Sequence, residues 1–224
     1  MTHTREGMEL HFGASAPIGD SARTTACTRT AAATAASPGV AVRPVTRSSL
    51  LTMVQSVELL LDESLDAAVR DEWTRMLDGG IDSQGRIRSP TNRPHVTLFV
   101  SAQIPPEVEE AARRAISDTP LSVRLGGVVV FGDRHATLAR LVVPSSALLD
   151  LHARLFGLLA ACPGVPAHIR PGEWTPHVTL ARRVPADRIG AALIAAHVGG
   201  RDLVGTSGGI RRWDGTAKRE WRLA

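Results

Sequence analysis

Tyrosine is missing from the 224 residues, lysine occurs once, at Lys218, and cysteine only twice, at Cys27 and Cys162. Two isolated cysteines are too few for a disulfide framework or a zinc knuckle, and a reducing cytoplasm is the expected location. No run approaches the roughly 18 uninterrupted apolar residues that a membrane helix needs. Charged residues at 21% and hydrophobic ones at 43% suit a soluble globular chain. The scarcity of lysine leaves the basic side chains almost all arginine. Arginine suits bidentate phosphate recognition, although a codon bias produces the same excess.

A uniformly basic nucleic-acid face is also lacking. Of the net charge of +4, residues 1–50 carry +2, from Arg5, Arg23, Arg29, Arg43 and Arg47 against Glu6, Glu9 and Asp20. The remaining +2 is spread over the rest of the chain, so any nucleic-acid contact is expected to be local. The same fifty residues are rich in Ala, Thr, Ser and Arg and show no sustained period of 2 or 3.6. Residues 1–52 therefore read as a disordered tail. Translation starting at Met53 is an alternative; an export signal is disfavoured because no apolar h-region precedes the small-residue run ATAAS.

From Met53 onward the pattern is that of one folded domain, residues 53–224. MVQSVELLL reads as a strand. The stretch from Asp62 to Gly80 reads as a helix with Leu65, Val69, Trp73, Met76 and Leu77 on one face and Gly79 as its stop. RPHVTLFV is a strand, PPEVEEAARRAI a helix with proline in its first turn, and LSVRLGGVVVFG a strand bulged at Gly126 and Gly127. After His135 the order recurs: ATLARLVV, a serine-capped helix over 144–162, TPHVTLAR, a helix over 185–198, and closing strands in DLVGTSGGIRRW and KREWRLA. PHVTL itself occurs twice, with His95 and His177 82 positions apart. That offset superposes the strands and helices of the halves, which argues for duplication. The expected fold is α+β, with duplicated βαβ-type lobes, approximately 53–131 and 132–224. They are expected to form two antiparallel-rich sheets around a central cleft with helices outside.

Strand alternation puts His95 and Thr97 on one face and Val96 and Leu98 on the other, and treats His177, Thr179, Val178 and Leu180 alike. Two histidines across one cleft suit in-line displacement at a phosphodiester: a neutral imidazole accepts a proton while a protonated one donates. Threonine hydroxyls can donate to the non-bridging oxygens. This chemistry requires no metal ion and no other cofactor.

PHVTL at 94–98 and 176–180 resembles the paired His-x-Thr-hydrophobic signature of the two-histidine phosphoesterase superfamily. Within it, the resemblance is to the 2′-5′ RNA ligase-like and cyclic nucleotide phosphodiesterase group. It covers Met53 to the C-terminus and none of the tail. It implies His95 and His177 as the acid–base pair, with Thr97 and Thr179 as phosphate donors. Arg182 would be a further phosphate contact, and the substrate an RNA end or small nucleotide with a cyclic or 2′-5′ phosphodiester; apart from the resemblance, a monomer is expected. A non-catalytic module binding RNA or nucleotide phosphate through the same cleft is the alternative. Arg93, with Arg86 and Arg88 in a basic entrance loop, and Trp174, as a stacking platform at the rim, are candidate substrate contacts. Two decoys are set aside. HATL at 135–138 falls outside the repeat position of the motif, and GTSGG at 205–209, formally a nucleophile elbow, lacks the following helix that elbow needs and reads as hairpin glycines.

Overall fold

The computed structural model describes residues 54–116, 120–196 and 201–224. The tail read as disordered, and Cys27 within it, lie outside the described residues. Seven strands and four α-helices follow in the order β1 (Gln55–Leu61), α1 (Glu63–Asp78), β2 (His95–Ser101), α2 (Pro106–Ala115), β3 (Ser122–Phe131), β4 (His135–Val142), α3 (Ser146–Leu159), β5 (His177–Pro185), α4 (Ile189–Ala196), β6 (Leu203–Asp214) and β7 (Arg219–Arg222). Adding 82 to the bounds of the first five elements reproduces β4, α3, β5, α4 and β6 within two residues at every end. The duplication read from two pentapeptides thus extends through the whole architecture.

Local chemistry explains most boundaries. Asp62 caps α1 by accepting from Leu65 N at 2.8 Å, and Ser145 caps α3 by accepting from Leu148 N at 3.2 Å. Each cap satisfies one of the amides a helix start leaves without an internal partner. At the far end of α1, Gly79 keeps an ordinary φ of −79°, and it is Gly80, at +72°, that takes the left-handed conformation favouring glycine. Gly79 is thus the helix stop expected, with the left-handed turn one residue beyond it.

Pairing is antiparallel throughout. β1 pairs with β2 and β4 with β5, each within its own repeat, but β6 lies against β1 and β3 against β4. The third strand of each repeat therefore completes the sheet of the other. Among the described residues the strands make one seven-stranded sheet, whose two halves join at two places. In one, Val96 pairs with Val178; in the other, Ser122–Leu125 run beside Leu203–Thr206 with Val123 opposite Gly205. Both Val96/Val178 and Val123/Gly205 differ by the repeat offset of 82, so a pseudo-two-fold axis passes through both contacts. The helices obey it too: α1 packs on α4 and α2 on α3, each pair crossing between repeats. Among the described residues no helix is long and apolar enough to cross a membrane.

The GTSGG stretch lies inside β6, where the strand changes partner, rather than in a hairpin turn. Gly208 is required there because a Cβ would meet the Leu61 carbonyl oxygen at 2.2 Å. Ser207 is buried, and its hydroxyl accepts from Leu121 N at 2.8 Å. Close strand approach, not an exposed nucleophile, accounts for the motif. The bulge expected at Gly126 and Gly127 is present, as the register of β3 against β4 slips between Leu125 and Val128. Its carbonyl at Gly126 accepts from Arg140 Nη1 at 2.7 Å, and the same guanidinium is paired with Glu72 on α1. Arg140 and Glu72 are both almost wholly buried.

A buried pair broken on one side leaves an uncompensated charge. Glu72→Leu is expected to destabilise the fold by about 3–5 kcal/mol, read as a lower urea midpoint at unchanged slope. Glu72→Leu combined with Arg140→Leu should recover part of that loss. Equal midpoints for Glu72→Leu and wild type would show that the pair does not constrain the fold.

Candidate active site

β2 and β5 meet at the single pair Val96/Val178 and diverge on either side. Antiparallel register about that pair sets His95 across from Thr179 and His177 across from Thr97. His95 and His177 become diagonal neighbours on one face, with a Cα separation on the order of 7–8 Å if the strands kept ladder spacing. The four polar side chains are half-buried while Val96, Leu98, Val178 and Leu180 beneath them are fully buried. The alternation expected for each pentapeptide is thus present, and the pseudo-two-fold axis brings the two His-x-Thr pairs into one patch.

Both imidazoles are held the same way. His95 Nδ1 donates to the Arg93 carbonyl at 2.6 Å, and His177 Nδ1 donates to the Thr175 carbonyl at 2.7 Å. A carbonyl can only accept, so each Nδ1 carries the proton and each Nε2 is left as the exchanging nitrogen. The backbone kink that permits this contact is supplied by a proline before each histidine, Pro94 and Pro176, which places the preceding residue in extended geometry.

Two tryptophans brace the seam. Trp73 Nε1 donates to the Thr179 carbonyl and Trp174 Nε1 to the Thr97 carbonyl, both at 3.1 Å. They are not repeat equivalents, since one comes from α1 and the other from the loop before β5. Trp174 also stacks on the buried His152, with ring centroids 3.9 Å apart and planes 6° from parallel. Trp174 is thus half-buried against the core, with one ring face taken up by His152.

The surroundings of the two histidines differ. His95 Nε2 lies 3.6 Å from Oε1 of the buried Glu58. Burial by itself would raise the Glu58 carboxyl, but the charges of His95 and Arg211 and hydrogen bonds from Ser56 and Arg211 overcome it and hold the group below the usual carboxylate range. Arg211 also donates to the Thr91 carbonyl at 2.9 Å and pairs with Glu220, tying the loop before β2 to the sheet. His177 instead packs against Phe131, with centroids 4.8 Å apart. Burial holds its imidazole below the ordinary value of 6.5; the Thr175 contact opposes this, and the charges of Arg182, His95 and His168 add to it.

A small hollow at this patch is lined by Trp73, Gln84, Arg93, His95, Thr179 and Arg182, among others. Arg93 and Arg182 thus stand beside His95 and Thr179, whereas Arg86 and Arg88 do not line it. Arg182 is not at a strand end as expected but inside β5. The basic loop is fastened at several points: Arg70 and Arg211 donate to the Asn92 and Thr91 carbonyls, and the Asn92 amide donates to the carbonyls of Gln84 and Ile87. His135 is exposed at the start of β4, opposite Pro185 and far along β5 from the motif. Glu58, Arg211, Trp73 and Phe131 were not anticipated as site residues. Glu58 alone carried a signal, as an acid in the otherwise apolar run VELLL.

A duplicated antiparallel α+β fold that sets two His-x-Thr pairs about a pseudo-two-fold axis defines a two-histidine phosphoesterase architecture. The family model described as the 2′-5′ RNA ligase superfamily matches residues 63–204, and the chain belongs to that superfamily. No curated protein matches the chain.

The His177 ring is expected to titrate below 6.5 in a proton NMR titration, and Arg182→Ala to move its midpoint upward by removing a nearby positive charge. A midpoint at or above 6.5 in the wild type would contradict the burial argument.

Proposed function

We propose that the protein cleaves, or reversibly forms, a cyclic or 2′-5′ phosphodiester of an RNA end or nucleotide by two-histidine general acid–base catalysis that requires no metal ion. The observation that carries this reading is the matched tethering of both Nδ1 atoms to backbone carbonyls, which leaves two Nε2 atoms for one patch. In the hydrolytic direction His177, kept neutral by its surroundings, accepts the proton of the attacking water through Nε2. The P–O bond to the leaving group breaks as the new one forms. His95, beside the charged Glu58, passes its Nε2 proton to the leaving oxygen. Thr97 and Thr179 donate to the non-bridging oxygens, and Arg182 and Arg93 balance the phosphoryl charge. In the ligation direction the two histidines exchange roles, since both directions share one transition state.

The test uses purified protein with EDTA on 2′,3′-cyclic nucleotides, 2′-5′ oligonucleotides and ADP-ribose cyclic phosphate. His95→Ala and His177→Ala should each lower turnover by about 10²- to 10⁴-fold with little change in melting temperature, while His135→Ala stays near wild type. The acid limb of kcat/KM should fall below pH 6.5, because a base held low in pKa stays deprotonated to lower pH. Wild-type turnover in both histidine variants would overturn the assignment. Saturable binding with no turnover on any substrate would favour a phosphate-binding module.

A further inference from the structure

The strand that carries the second motif has a defect six residues beyond its histidine. Leu138 on β4 pairs with Ala181, and Ala136 with Val184, so Arg182 and Arg183 together oppose the single residue Thr137. This is a β-bulge, which commonly re-aims side chains beside functional sites. Arg183 takes φ of 57°, a left-handed conformation that side-chain-bearing residues rarely adopt. Regular alternation would send neighbouring arginines to opposite faces, one of them into the core. Here Ala181 and Val184 are buried on either side, while Arg182 and Arg183 are both exposed.

Both arginines line one open depression of about 270 Å³, together with Arg188 from the turn after β5 and Gly80 and Asp82 from the loop after α1. Arg182 also lines the hollow at His95 and Thr179, so the two spaces are neighbours that share this residue. Among the described residues none of the three arginines takes part in a salt bridge, and the Asp82 carboxylate at the rim is already paired with Arg86. Arg188 is steadied by a contact of 3.5 Å to the Gly80 carbonyl. Arg182 and Arg183, turned to one side by the strained bulge, and Arg188 from the following turn, none in a salt bridge among the described residues, form a cradle for an anion additional to the one at the histidines. By the register on β4, Thr179 lies opposite Ala139 and Arg183 opposite Thr137, so the bulged strand advances about 7 Å at roughly 3.3 Å per partner residue, a separation at which a second phosphate along a nucleotide chain can lie.

We infer that the depression formed by Arg182, Arg183 and Arg188 binds a backbone phosphate neighbouring the one at the histidines, making a single-stranded oligonucleotide end the preferred ligand over a mononucleotide. The inference takes from the proposed function only that a terminal phosphate occupies the histidine patch. Backbone phosphates are read here without regard to base, so the preference concerns length and charge, not sequence.

The full-length protein is titrated with a fluorescein-labelled 3′-phosphorylated trinucleotide, and with the same probe carrying neutral methylphosphonates at both internal linkages. A charge-assisted contact supports an expected difference in Kd of about tenfold or more in favour of the charged probe, steepest at low salt. Arg183→Gly, which suits the left-handed backbone and should keep or raise Tm, and Arg188→Ala should each shrink that difference, and the double variant should bring it near unity. Equal binding of both probes by the wild type, no binding of either, or a difference that survives in the double variant would overturn the inference. Turnover of a trinucleotide ending in a 2′,3′-cyclic phosphate is measured in parallel. Arginine-dependent binding without turnover would overturn the catalytic reading and leave the phosphate cradle standing.

Discussion

The arrangement depends on one backbone contact, the meeting of Val96 and Val178 on the pseudo-two-fold axis. Had β2 and β5 zipped together along their whole length, the histidines would lie flat on a continuous sheet with no hollow between them. Because they part after one pair, their seam-side carbonyls lose the partners a ladder would supply, and a half-buried carbonyl without a donor is costly. Trp73 and Trp174 supply those donors at Thr179 and Thr97. The indoles thus hold open a sheet that hydrogen bonding would otherwise favour closing. The core below, with Val96, Leu98, Val178 and Leu180 wholly excluded from solvent, keeps the parted strands in register.

Duplication supplied two equal imidazoles, and their surroundings made them unequal. One ring has a buried carboxylate for a neighbour, itself fixed by Arg211 and Ser56; the other has an aromatic ring and an arginine. Acid and base roles in a symmetric pair require such a difference, because identical groups in identical settings would compete for one proton. The difference comes from β1 and β6 on one side and from β3 and β5 on the other.

The sequence announced what depends on neighbours along the chain. Strand alternation, the serine cap of α3, the glycine bulge in β3 and the repeat offset are all short-range or periodic signals, and each appears in the structure. What stayed hidden depends on pairing across long separations. Nothing local in LSVRLGGVVVF says that β3 belongs beside β4, or that β6 must thread past Leu61 on glycines. The buried ion pairs were equally silent, since Glu58 and Arg211 are 153 positions apart and find each other only through the β1–β6 register. The bulge at Arg182 escaped notice because nothing in VTLARRVP distinguishes a slipped strand from a regular one. The role of Trp174 was not legible because an indole offers both a face and a donor, and the sequence does not say which is used.

Exchanging third strands between repeats has a cost during synthesis. β1 cannot gain its second neighbour until β6 has left the ribosome, since Gln55 lies opposite Asp214. Until then the N-terminal half presents an unfinished sheet margin with an apolar underside, a template for unwanted association between nascent chains. Assembly dominated by such distant pairings is slow relative to a helical chain of this size. The symmetry that unites the two histidines therefore binds each half's completion to the other, and neither half constitutes an independent folding unit.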